Sequence, residues 1–208
     1  MEFTQAFADA VRIEPFGGTL TQGQVDGIQA IFNAAPNTLS VQQFAYILAT
    51  AYWETAHTMQ PVIETFNPAY DTVNPSVDEA IARLERAYRN GELSWVKQPY
   101  WRKDADGLSW LGRGYVQLTF KSNYTTAYRY TGIDCVSDPS RALDPSEAAV
   151  IMFNGMSNGW FTGKKLRDYF SGNQSTGADP IGARRIINGQ DHAADIAKIY
   201  LQFNKALS

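Results

Sequence analysis

Apolar positions recur at helical spacing through most of this chain. Thr21 and Gln24 have the spacing of a capping box, and Val25, Ile28, Ile31 and Phe32 follow. Pro36 and Asn37 end that element. Ser40 with Gln43 marks the next start. Val41, Phe44, Ala45, Leu48 and Tyr52 then line one face, and Ile47 and Ala51 widen it. A helix apolar on nearly all sides belongs at the centre of the molecule. Its spacing predicts that it runs to about Thr58 and stops before Pro61. Ser76 and Glu79 open a third helix with a stripe of Val77, Ile81, Leu84 and Tyr88, ending at Gly91. Asp144, Pro145 and Glu147 supply the cap, first-turn proline and early acid of another, which ends near Gly159. A further helix is expected soon after residue 180, and a last one from about His192 to the C-terminus.

The intervening segments read differently. Residues 91–113 hold turns and aromatics with little periodicity. The run Tyr115–Phe120 alternates briefly, as a short strand or hairpin arm would, and helicity resumes near Asn123. Residues 171–180 form a polar loop. No repeat and no domain boundary is visible. The pattern therefore predicts a mainly α-helical chain, one domain over residues 1–208, with two lobes around a cleft.

Composition narrows the function. At 208 residues a chain hides roughly 70% of its extended surface, enough for a core without staples. The single cysteine, Cys135, excludes an intrachain disulfide, and His57 and His192 are too few for a histidine-rich metal centre. The 18 basic and 21 acidic side chains give a formal charge of -3, which argues against nucleic acid as a partner. No apolar window reaches the length of about 18 residues that a membrane span needs, and the N-terminus lacks the basic-then-apolar pattern of a signal peptide. Tyr 11, Phe 11 and Trp 5 are enough rings both for core packing and for a carbohydrate cleft, where an amphipathic ring stacks on a sugar face.

Three groups of residues carry candidate chemistry. Glu54 closes the most apolar helix, where burial disfavours a charged carboxyl, the condition a general acid needs; the alternative is a surface acid at a helix end. Glu64 lies ten residues on, past Pro61. Two carboxylates flanking a helix end and a loop can face each other across a cleft, one protonating a leaving oxygen and the other activating water. His57 stands three residues after Glu54, as a hydrogen-bond donor near a cleft or as packing; a dimetal site would want further inward ligands. The Gly112-Arg113-Gly114 run is no nucleotide fingerprint, and its glycines suit a tight turn that brings backbone close to something. Arg113 is then presented or paired with a carboxylate. Gln117, Thr119 and Asn123 are neutral hydrogen-bonders suited to a polyhydroxylated ligand, or to satisfying a turn.

The run Gly112-Arg113-Gly114-Tyr115-Val116-Gln117-Leu118-Thr119, followed by Asn123-Tyr124, resembles the signature of family 19 glycoside hydrolases, the chitinase-like enzymes that include phage and prophage endolysins. Ala51-Tyr52-Trp53-Glu54-Thr55 is similar to the family's catalytic-acid helix, Met59-Gln60-Pro61-Val62-Ile63-Glu64 to the acid segment after it, and Ala183–Gly189 to the late Ile-Asn-Gly motif. The chain departs from the family in Trp53, where many members have histidine, and in Gln190, where many have glycine.

The resemblance implies a lysozyme-like two-lobed helical fold with a small β-hairpin region beside the cleft. It implies hydrolysis of β-1,4 bonds with inversion, without a cofactor or a metal. Glu54 would be the general acid, Glu64 the general base or the holder of the attacking water, and Thr119 would position that water. Gln117, Asn123 and Asn188 would contact sugar or support the acids, and His57, Arg113 and Tyr115 complete the expected substrate-facing set. The compact chain resembles endolysins acting on bacterial peptidoglycan: a monomer made in the host cytoplasm without a signal peptide, reaching the wall by holin-type or other non-classical release. Chitin is the alternative substrate, and a saccharide-binding protein without catalysis is the alternative class.

Overall fold

The computed structural model describes residues 1–66, 74–171 and 177–208. Among them the fold is mainly helical: α1 (Gln5–Ile13), α2 (Gln22–Ala34), α3 (Val41–Glu54), α4 (Val77–Arg89), α5 (Lys121–Thr131), α6 (Pro145–Asn158), α7 (Leu166–Tyr169) and α8 (Ala193–Leu207). The β structure is one antiparallel pair, β1 (Val62–Ile63) with β2 (Arg113–Gly114), in the register Val62 to Gly114 and Ile63 to Arg113. Part of the polar loop read at 171–180 lies outside the described residues.

The starts of α2, α3 and α4 follow from local chemistry. Thr21, Ser40 and Ser76 each accept from the backbone N–H three residues on, while Gln24, Gln43 and Glu79 reach back to the cap N–H. Asp144 does the same work for α6, accepting from the N–H groups of Ser146 and Glu147, with Pro145 at the first position. Gly132 and Gly159 stop α5 and α6 in the left-handed conformation, each at φ 75. The N-terminal α1, capped by Thr4, was not anticipated from the pattern.

Helix α3 is the axis of the main core. Every residue from Phe44 to Tyr52 is buried, and α8 packs along it. α2 packs on α6, and α1 on α8, so Phe7, Phe32, Phe44, Phe153 and Phe203 meet in a single apolar body. Two smaller cores adjoin it. One gathers Trp110, Leu118, Tyr124, Ala127 and Ile151 around α5. The other gathers Ile63, Leu84, Trp101 and Leu111 around α4. The segment 110–118 belongs to all three: Trp110 and Leu118 enter the α5 core, Leu111 the α4 core, and Tyr115 and Val116 the main core.

Two expectations are corrected. α3 ends at Glu54, not near Thr58. Thr55 turns its hydroxyl on Ala51 O at 2.7 Å and accepts Met59 N at 3.0 Å, and Ala56, His57 and Met59 adopt positive φ, which closes the helix. His57 is therefore not one helical turn beyond Glu54. The run Tyr115–Phe120 is not a continuous strand either, and of its expected hairpin pairing only Leu118 takes part, in an antiparallel bridge with Arg113. Arg113 and Leu118 exchange both backbone hydrogen bonds, at 3.2 and 2.8 Å, around a reversal in which Gly114 (φ 93) and Gln117 (φ 52) break the extended course.

Candidate active site

Glu54 and Glu64 stand at the two ends of a connection that the fold holds rigidly. α2 grips it from one side. Gln24 Nε2 donates to His57 O at 3.0 Å, the Gln60 amide donates to Gly23 O, and Gly27 lies so close that a Cβ there would sit 1.7 Å from Met59 O. The chain then enters β1 and presents Glu64.

Glu54 does not rest in an apolar pocket. Its carboxylate forms an ion pair with Arg184, whose guanidinium is 5% exposed against 16% for the Glu54 side chain. Arg184 lies in the 3₁₀ turn Gly182–Ile186, and its Nε donates to Asp191 O at 3.0 Å. Glycine at 182 is required by that turn, since a Cβ would lie 2.0 Å from Asp179 Oδ2. Trp53 beside Glu54 packs its ring against His192, at 4.8 Å between centroids.

Glu64 is clasped by the Gly-Arg-Gly segment. Its backbone N donates to Gly112 O, and Gly112 N donates back to Glu64 Oε2, each at 2.7 Å. The other oxygen, Oε1, accepts from the Tyr100 hydroxyl. Burial and the neighbouring carboxylate push the Tyr100 phenol well above its ordinary range, so it stays protonated and donates. A side chain at Gly112 would meet Gln117 Oε1 at 2.8 Å and Glu64 Oε2 at 3.2 Å. The sequence asked what the glycines bring the backbone close to. The answer is a carboxylate at Gly112 and, at Gly114, the Ala142 carbonyl, 2.9 Å from where a Cβ would stand.

Thr119 and its neighbours sit on the same loop. Thr119 Oγ1 donates to Gln117 O at 2.7 Å, which leaves its lone pairs as acceptors for a further group. Asn123 Nδ2 donates to Thr119 O at 2.8 Å. Gln117 Nε2 donates to Val62 O at 3.0 Å and so ties this loop to β1, two residues before Glu64. Gln117, Thr119 and Glu64 are thereby one hydrogen-bonded unit around β1 and the Gly112 backbone.

The remaining expected residues divide. His57 is exposed, stacked on Tyr52 at 4.2 Å, and partial burial lowers its pKa. Asn188 is exposed one turn beyond Arg184, its Oδ1 accepting from Gly189 N at 2.8 Å. Arg113 and Tyr115 are corrected to interior roles. Tyr115 has no exposed surface and packs in the main core. Arg113 is buried, donating from Nη1 to Ser109 O, Leu111 O and the Tyr124 hydroxyl at 3.0, 3.2 and 2.9 Å. Burial pushes the Tyr124 phenol up to about 12, and its hydroxyl passes the chain on to Leu111 O at 2.8 Å. Neither side chain reaches a solvent-borne ligand; both brace the loop that carries Gly112. Arg184 and Tyr100 are the site residues that sequence reasoning missed.

This geometry gives Gly112 a direct consequence. Gly112→Ala should cost about 1–3 kcal/mol of stability, because the added methyl group displaces the Glu64 carboxylate and the Gln117 amide. A thermal melt would check it, and an unchanged melting temperature would rule out a demand for that seating.

No family model matches the sequence, and no curated protein matches it. The structure matches that of chitinase C from Streptomyces griseus with a TM-score of 0.58 at 17% identity, over 100% of this chain and 79% of that one. At that identity the likeness is one of fold: this chain has the chitinase-like, mainly helical architecture with its minor β element.

Proposed function

We propose that this chain is a glycoside hydrolase acting on β-1,4-linked polymers of N-acetylated amino sugars, with Glu54 as general acid and Glu64 as general base in an inverting reaction. The observation that carries the reading is the seating of Glu64. Each oxygen of its carboxylate takes one donor, Tyr100 O–H and Gly112 N–H, and keeps a lone-pair direction for a water. Thr119, an acceptor once its proton is committed to Gln117 O, takes one hydrogen of that water while Glu64 takes the other. Glu54 donates its proton to the leaving oxygen from the end of α3, and Arg184 fixes the carboxyl between turnovers. The order of motifs and the chitinase-like fold support the same chemistry.

Two polymers carry this linkage. The fold likeness to a chitinase supports chitin. The peptide-bearing glycan of peptidoglycan is favoured by Lys97, which makes no ion pair among the described residues, at a cavity lined by Trp95 and by Tyr100, whose hydroxyl donates to Glu64. The experiment is digestion of chitin oligosaccharides and of purified sacculi, with proton NMR of the first product anomer. Release of the α-anomer is expected from a β-linked substrate. A β-anomer would exclude the inverting pair, and no release from either polymer would exclude the hydrolase.

A further inference from the structure

A cavity of about 520 Å³ is lined by Trp95, Val96, Lys97, Gln98, Phe120 and Tyr100, whose hydroxyl donates to Glu64. Its volume lies within the span of small-ligand sites, roughly 300–1,000 Å³. Resting on the proposed hydrolase reading for the class of polymer, we propose that this cavity is a subsite for an amino-sugar strand substituted with carboxylate-bearing peptides, the glycan of peptidoglycan.

Two large rings are spent on water here. Trp95 is 71% exposed and Phe120 50% exposed. Phe120 also holds a backbone with positive φ (70), a conformation that is costly for a non-glycine residue. The surroundings enforce it: Phe120 N donates to Trp110 O at 3.0 Å, and the ring packs on Tyr100 at 4.8 Å between centroids. Exposed, fixed aromatic faces are what the C–H face of a pyranose stacks on.

The polar members are uncommitted. The Gln98 amide makes no side-chain hydrogen bond among the described residues and can both donate to and accept from an acetamido group. Lys97 makes no ion pair among the described residues, whereas Arg102 and Lys103 on the same stretch and Lys121 at the start of α5 are held by Glu85, Asp78 and Asp104. An ammonium without an ion pair among the described residues, at the rim of an aromatic cavity, complements the carboxylates of the stem peptides that the strand of peptidoglycan carries and chitin lacks. Tyr100 joins the two places. It lines the cavity and donates to Glu64, so a strand stacked on Trp95 runs on toward the base.

The test measures binding apart from turnover, in a Glu54→Gln parent, by co-sedimentation with purified sacculi and by calorimetry with chitotetraose. Trp95→Ala should weaken both by tenfold or more. Lys97→Met should weaken sacculus binding three- to tenfold at low salt, lose that effect in 0.5 M NaCl (roughly a 4 Å screening length) and leave chitotetraose unchanged. An unchanged affinity in Trp95→Ala, an unchanged affinity for sacculi in Lys97→Met, equal losses on both ligands in Lys97→Met, or no binding by the parent would each overturn the proposal. Turnover by the otherwise unaltered chain is assayed separately. The binding pattern without hydrolysis would overturn the hydrolase and leave the subsite, and hydrolysis indifferent to Trp95 and Lys97 would do the reverse.

Discussion

Glu54→Gln should abolish measurable hydrolysis, with kcat lower by about 10²–10⁴-fold, the usual contribution of a positioned acid. Glutamine has the same shape and its amide oxygen can still accept from Arg184, so the end of α3 keeps its place. It has no proton of the required acidity for the leaving oxygen. The KM should change much less than kcat, because the hydrogen bonds that hold the Thr119 loop are untouched. Steady-state kinetics with circular dichroism would check this. A variant that turns over at the parent rate would remove Glu54 from the reaction.

Arg184→Met should cost about 3 kcal/mol of stability, the low end for breaking a buried pair, since Glu54 retains some contact with water. For a chain of this length that is a fall in melting temperature of roughly 6–12 °C. The substitution removes the ion pair and the bond from Nε to Asp191 O. Adding Glu54→Gln to it should restore part of the loss, because the carboxylate without a counter-charge is then gone. Thermal melts of the two single variants and the double would show a positive coupling. Strict additivity would mean that the pair contributes no net interaction.

Much of the helical frame could be read from the sequence because capping and amphipathicity are local. The side chains that cap α2, α3 and α4 lie three residues from their partners, and all three boxes close as spaced. The end of α3 was misread because Pro61 is not what stops it; the Thr55 hydroxyl and the grip of α2 do, the latter from more than thirty residues away. The partners of the acids were out of reach for the same reason. Arg184 stands 130 positions from Glu54, and Tyr100 stands 36 from Glu64. The glycines around Arg113 signalled a close approach, but the pattern could not say that Glu64 was the visitor. Alternation in the run after Gly114 looked half-exposed, whereas Tyr115 and Val116 face the same apolar body because the chain reverses there.

The segment that lends residues to three cores also bears on how the molecule comes apart. A helical body with satellite clusters would ordinarily open piecewise, each cluster fraying at its own free energy. Here Trp110, Leu111, Tyr115, Val116 and Leu118 stitch the three together within nine positions. No cluster can loosen without pulling the backbone that clasps Glu64. The amide protons of Gly112, Leu118 and Glu64, bonded to Glu64 Oε2, Arg113 O and Gly112 O, should then exchange with deuterium only through global opening. The seat of Glu64 would be lost last, together with the fold.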